Sequence, residues 1–214
     1  MLVHFLRHGQ TTSDIEDRYG GDYEDHLTEH GREQVTQRLK RLPVIKAIVS
    51  SPRVRAQETA DMVARHVHVP VHTERAWRER NVYGMLTGMR KEDAQQQYPG
   101  YAEQVKDYRN TIPEAESYEE FKERILKALQ DLVHKKQTDV LIATHGGPIK
   151  CILRELFNCE LKELHDCALL SLQYTASGWH FVSSDGIVFA STPPARKPVK
   201  QTAPPYDSWR GSTY

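Results

Sequence analysis

The chain has 214 residues, enough for one domain with a sizeable core. Its 29 Lys and Arg balance 29 Asp and Glu, so no global field favours nucleic acid or an acidic membrane, and any anion must be bound by a local cluster. No apolar run approaches a membrane span and no signal-peptide pattern stands at the start, while three cysteines (Cys151, Cys159, Cys167) without a metal-ligand spacing read as reduced thiols, so a cytoplasmic protein is expected.

Residues 2–6 form a short apolar run that stops at Arg7-His8-Gly9. Val, Phe and Leu without helical period read as a buried strand, and Gly9 permits the sharp exit that presents a side chain at the strand's carboxyl end. In open α/β sheets that end is where ligands bind. An Arg beside a His there suits an oxyanion, the guanidinium as a fork of donors and the imidazole as nucleophile or base.

Residues 14–29 are polar and aromatic, with Gly20-Gly21 marking a turn, and are expected to form a loop. A helix follows, with Thr28 as N-cap, Val35, Leu39 and Leu42 as its apolar face, and Pro43 as its stop. Residues 47–50 read as a second buried strand, running into Ser51-Pro52-Arg53-Val54-Arg55, where Pro52 suits a helix's first turn. This brings Arg55 to a helix N-terminus, itself favourable for anions. Val69-Pro-Val-His72 reads as a short edge strand, because Pro70 cannot donate to a ladder.

Trp77-Arg78-Glu79-Arg80 leads into a loop punctuated by Gly84 and Gly88. Residues 91–108 are expected to be helical. Ser117 with Glu120 forms a capping box that opens a long helix, with Phe121, Ile125, Leu129 and Leu132 as its buried stripe. Residues 139–144 are the third buried strand and run straight into His145-Gly146-Gly147, with a helix expected over 148–157. Residues 169–174 and 179–184 pattern as a hairpin, and the Pro- and Lys-rich 191–214 as a tail without a core of its own. The pattern predicts an α/β fold with a mostly parallel central sheet, helices on both faces, and one domain over 1–190.

Three strand ends thus deliver Arg7-His8, Arg55 and His145 to one edge. Two arginines and two histidines in one pocket repel each other unless an anion joins them, and phosphate fits. Read singly, each is a surface arginine or a satisfied loop histidine. Read together, they are a phosphate site. A nucleic-acid reading rests only on Arg196, Lys197, Lys200 and Arg210 of the tail and is weak.

Five ordered blocks carry a resemblance: residues 7–11, 27–34, 50–60, Arg78-Glu79 with Gly84 and Gly88, and 144–147. They resemble branch 1 of the histidine phosphatase superfamily, the phosphoglycerate mutase-like family, over residues 2 to about 190. The resemblance implies a three-layer fold and a phosphohistidine formed on His8. It implies that Arg7, Arg55, His145 and Gly146 hold phosphoryl oxygens and that Glu79 acts as acid and then base. It implies no metal and no cofactor. Thr11, Asp14, Gly20, Gly21, Tyr83, Lys91 and Arg109 are the expected substrate-binding residues, Lys91 and Arg109 as carboxylate ligands of a mutase. The family usually carries Asn where this chain has Asp14, and it spaces its acid four residues before the first glycine, where Glu79 to Gly84 is five.

The expected activity is hydrolysis of a small phosphorylated metabolite, because the segment from Glu79 to Ser117 lacks the long insertion that shields phosphohistidine in mutases. A cofactor-dependent phosphoglycerate mutase is the alternative. A binding module without turnover is a third reading, disfavoured by the presence of both a nucleophile and an acid. The expected partner is the small-molecule substrate alone, with no nucleic acid and no membrane; a homodimer is left open.

Overall fold

The computed structural model describes residues 1–135, 139–192 and 194. The expected tail lies outside these except at 191, 192 and 194. One six-stranded sheet organises the rest. Its strands are β1 (Leu2–Arg7), β2 (Ala47–Ser50), β3 (Val71–Thr73), β4 (Val140–Thr144), β5 (Leu161–Thr175) and β6 (Gly178–Phe189), in the order β3-β2-β4-β1-β5-β6. The first four in that order run parallel, and β5 and β6 are antiparallel additions. β3 is the expected edge strand.

Alternation along the strands sorts the two faces. Val3 and Phe5 of β1, Val140 and Ile142 of β4, and Leu170 and Leu172 of β5 pack under α6 (Tyr118–Lys135) and α7 (Gly146–Phe157). Leu6, Leu141, Ala143 and Leu169 face the other way, against Val35 of α2 (Glu29–Leu39) and Ala60 and Val63 of α3 (Val54–Val67). Burying side chains such as Phe121, Ile125 and Leu129 contributes about 1.5–3 kcal/mol each. The caps read from sequence are present: Thr28 Oγ1 accepts from Gly31 N at 2.9 Å, and Ser117 and Glu120 bond each other reciprocally.

Five local expectations need correction. Residues 12–15 form a one-turn helix, α1 (Thr12–Ile15), because Thr11 and Asp14 make a capping box. Residues 91–108 split into α4 (Lys91–Gln97) and α5 (Pro99–Gln104), since Pro99 cannot continue a helix but suits the first position of the next. Pro52 lies outside α3, whose N-cap is Arg53, so Arg55 is the second helical residue. α7 begins at Gly146 rather than Pro148, because a proline in the first turn has no bond to lose. The hairpin also extends well beyond its predicted ends, with register shifts along β5 and β6.

A third, smaller cluster centred on Leu86, Ala94 and Ile112, with Tyr19, Tyr83 and Met89, builds a cap beside the sheet edge. Backbone bonds from Tyr19 N to Met89 O and from Lys91 N to Asp17 O tie it to the loop after α1.

Candidate active site

β2, β4 and β1 are adjacent and parallel, so their carboxyl ends share one edge. A cavity of about 470 Å³ opens there. Arg7, His8, Arg55, Glu79 and Gly146 line it, as do Thr11, Asp14, Gly20, Gly21, Tyr83 and Lys91. His145 is fully buried behind them, its ring centroid 5.1 Å from that of His8.

His8 continues the ladder past the end of β1. Its N–H donates to Thr144 O at 3.1 Å and its carbonyl accepts from Cys167 N at 3.2 Å, so the ring is hung from fixed backbone. Nδ1 lies 2.8 Å from Gly9 O, an acceptor only, which places the ring proton on Nδ1. Arg55 Nε donates to Nε2 at 3.1 Å, which requires a bare lone pair there. Burial, Arg55 and Arg7 hold the His8 imidazole well below the ordinary histidine value. His8 is therefore neutral and presents its basic nitrogen at neutral pH.

Arg55 is buried, and its guanidinium is already engaged: Nη1 donates to Asp25 Oδ1 and Tyr23 O, both at 2.7 Å, and Nη2 to Gly21 O at 2.6 Å. Ser13 Oγ donates to the other Asp25 oxygen at 2.5 Å. Arg7 donates through Nη1 to Leu164 O and faces Asp166 at 3.4 Å, while its buried Nε has no partner among the described residues. The repulsion expected among two arginines and two histidines is thus relieved without a ligand. Each arginine has a carboxylate, and burial, with Arg55 second, also holds His145 well below its ordinary value.

Glu79 follows a 3-10 turn, Arg75–Trp77, whose backbone is anchored. Arg124 Nη1 donates to Ala76 O and Arg78 O, and Thr144 Oγ1 donates to Trp77 O. The Glu79 carboxylate accepts from Gly147 N at 3.0 Å and Arg80 N at 2.8 Å, so it sits on the first turn of α7. A tight turn from Arg80 O to Val82 N takes up the extra residue before Gly84.

Three expected substrate residues already have protein partners. Arg109 does not line the cavity: it is exposed and folds back on Asp107, the nearest carboxylate, two residues away. Asp14 does line it, yet its Oδ2 accepts from Thr11 N at 2.9 Å and Thr11 Oγ1 at 2.8 Å, capping α1. Lys91 reaches the cavity while paired with Asp17.

The model of the histidine phosphatase superfamily (branch 1) matches residues 3–185. The chain belongs to this superfamily. A metal-independent phosphoserine phosphatase of Arabidopsis thaliana is 32% identical over 155 residues, 69% of this chain and 65% of the relative. A 2,3-bisphosphoglycerate-dependent phosphoglycerate mutase 2 of Gloeobacter violaceus is 30% identical over 168 residues, 72% of this chain and 75% of the relative. The alpha-ribazole phosphatase of Shigella flexneri shares the fold, with a TM-score of 0.75 at 20% identity over 92% of this chain and 97% of that one. The superfamily's members here are phosphatases and mutases, which makes the chain an enzyme acting on phosphoric monoesters.

Within this superfamily member, sequence reasoning missed Asp25, Asp166 and Ser51. One signal was available for the first: Asp22, Glu24 and Asp25 cluster in sequence, and Arg53 pairs with Asp22 and Glu24 as Arg55 does with Asp25.

The buried histidines also set an acid limit on stability. With folded values below the ordinary 6.5, His8 and His145 bind protons in the unfolded chain first, so stability falls as pH drops below 6.5. Each contributes about 1.4 kcal/mol per pH unit until its own folded value is reached. Urea unfolding at a series of pH values from 7.5 down to 5 is expected to show this loss; a flat profile contradicts two neutral histidines.

Proposed function

We propose that the chain is a metal-independent phosphatase that hydrolyses a small phosphorylated metabolite through a phosphohistidine on His8. The observation that carries this reading is the bare Nε2 of a neutral, fixed imidazole at the cavity floor. In the first step Nε2 bonds to phosphorus in line with the ester oxygen, the P–O bond breaks, and Glu79 gives its proton to the leaving oxygen. The charge gained by the ring spreads to Nδ1–H, which Gly9 O accepts. The Arg55 N–H that rests on Nε2 passes to a phosphoryl oxygen, joined by Arg7 Nε and His145. In the second step Glu79 takes a proton from water, water attacks phosphorus, and the P–N bond breaks to release phosphate.

Phosphatase is preferred to mutase because Arg109 lies off the cavity and cannot grip a substrate carboxylate there, and because the segment from Glu79 to Ser117 is short. Tyr83, Tyr108 and Lys150 on the wall suit a small polar leaving group. Metal independence rests on cationic side chains that can neutralise phosphate unaided, and the Arabidopsis relative is named for that property. We assign the protein to the cytoplasm, where its buried thiols stay reduced. No helix among the described residues is long and apolar enough to cross a membrane.

A panel of phosphorylated metabolites, with released phosphate and isomerised product both measured, tests this. Phosphate release unaffected by chelator is expected. Rapid isomerisation of 3-phosphoglycerate with little phosphate release, or activity lost to chelator and restored by a divalent ion, overturns it.

A further inference from the structure

His8 lines the cavity and His145 is packed edge-on behind it, with ring centroids 5.1 Å apart, yet the proposed chemistry asks opposite things of them. His8 must present a lone pair. His145 must present a proton, because a phosphoryl oxygen only accepts. A charged imidazole carries protons on both nitrogens, but burial and the neighbouring arginines keep His145 neutral, so only one of its nitrogens holds a proton.

The hydrogen bonds decide which. His145 Nε2 lies 2.7 Å from Ser51 Oγ, and His145 Nδ1 is buried with no partner among the described residues. Ser51 Oγ also accepts from Arg53 N at 3.3 Å. Ser51 is itself fully buried, so its single hydroxyl proton needs an acceptor. If Nε2 carried the ring proton, Ser51 Oγ would accept twice and its own proton would be stranded, a buried donor left unmade. If Ser51 donates to Nε2, every group is satisfied except Nδ1–H, the one left for a ligand.

We propose that Ser51 is a positioning residue, whose hydroxyl donates to His145 Nε2 and so keeps the ring proton on Nδ1, the nitrogen offered to the substrate's phosphoryl oxygen. The two rings then share one tautomer and present opposite nitrogens. His8 is turned so that Nδ1–H meets Gly9 O and bare Nε2 faces phosphorus; His145 is turned so that Nε2 meets Ser51 and Nδ1–H remains for the phosphoryl group. The fold supplies Ser51 where it is needed because β2 and β4 are parallel neighbours, and Ser51 N donates to Ala143 O at 2.9 Å just before β4 delivers His145. The kinetic part of this inference rests on the phosphatase reading; the tautomer does not.

Two measurements test it. The first is the long-range proton–nitrogen spectrum of the ligand-free, full-length protein, with the His145 signals identified by their absence in His145→Asn. The Nδ1–H pattern is expected for His145; an Nε2–H pattern overturns the proposal whatever the variants do. The second is turnover of p-nitrophenyl phosphate. Ser51→Ala is expected to lower kcat roughly tenfold, the worth of one hydrogen bond at the transition state, with a smaller change in KM. Ser51→Thr, which keeps the hydroxyl, restores most of it. A folded Ser51→Ala enzyme with wild-type kcat, or a folded Ser51→Thr enzyme as slow as Ser51→Ala, overturns the role. If the wild-type protein does not hydrolyse the ester at all, the phosphatase reading fails, and the spectrum still judges the tautomer.

Discussion

His8→Ala is expected to lower turnover by a factor on the order of 10⁴ or more, to background, while leaving a folded protein. The size follows from what is removed. Arg7, Arg55 and His145 remain to bind phosphate, but no other histidine among the described residues lines the cavity, and without His8 hydrolysis needs one hard displacement by water instead of two easier steps. Folding survives because the ring's two bonds are to Gly9 O and Arg55 Nε, and Arg55 keeps Asp25, Tyr23 O and Gly21 O. Phosphate binding, followed by its protection against unfolding, should persist. A His8→Ala enzyme with more than a few per cent of wild-type activity would show that another group attacks phosphorus.

Gly147→Ala is expected to cost about 10²–10⁴-fold in kcat for alkyl phosphates, through Glu79 rather than through the fold. A Cβ at position 147 would lie 2.0 Å from Glu79 Oε1, which no side chain tolerates. The obstacle is the far end of a flexible chain, Glu79 Cδ following at 3.0 Å and Phe121 only at 3.4 Å, so the carboxylate swings away and the backbone stays. The exchange also removes a glycine from a helix, worth up to about 1 kcal/mol in the variant's favour. Thermal stability should therefore change little while the acid is lost. An ester whose leaving group is an acidic phenol needs little protonation and should suffer much less than an alkyl phosphate. Equal losses for both esters, or none for either, would remove Glu79 from the role of acid.

The residues legible in the sequence were those placed by short-range rules. Arg7-His8 and His145 end apolar runs, and Arg55 opens a helix after one, so parallel β1, β2 and β4 had to bring them together once their adjacency was granted. What escaped was the layer behind them. Ser51 meets His145 from 94 residues away and Asp25 meets Arg55 from 30, distances at which no spacing in one chain speaks. Arg109 misled for the reverse reason: its match was local, and a carboxylate two residues away captured it. Lys91 and Asp14 reach the cavity, but each already has a partner in Asp17 and Thr11, a commitment that composition cannot reveal. The missing break between α4 and α5 was available in Pro99 and lost to an even polar pattern.

Trapping the phosphoenzyme addresses the central claim directly. Wild-type protein is mixed with a labelled phosphomonoester, quenched in base within a turnover and digested, and the labelled peptide is sequenced. Label on the peptide containing His8, stable in base and lost in acid as a phosphorus–nitrogen bond requires, is the expected result. Acid-stable label on a serine or threonine, or turnover with no covalent label at any quench time, would contradict it.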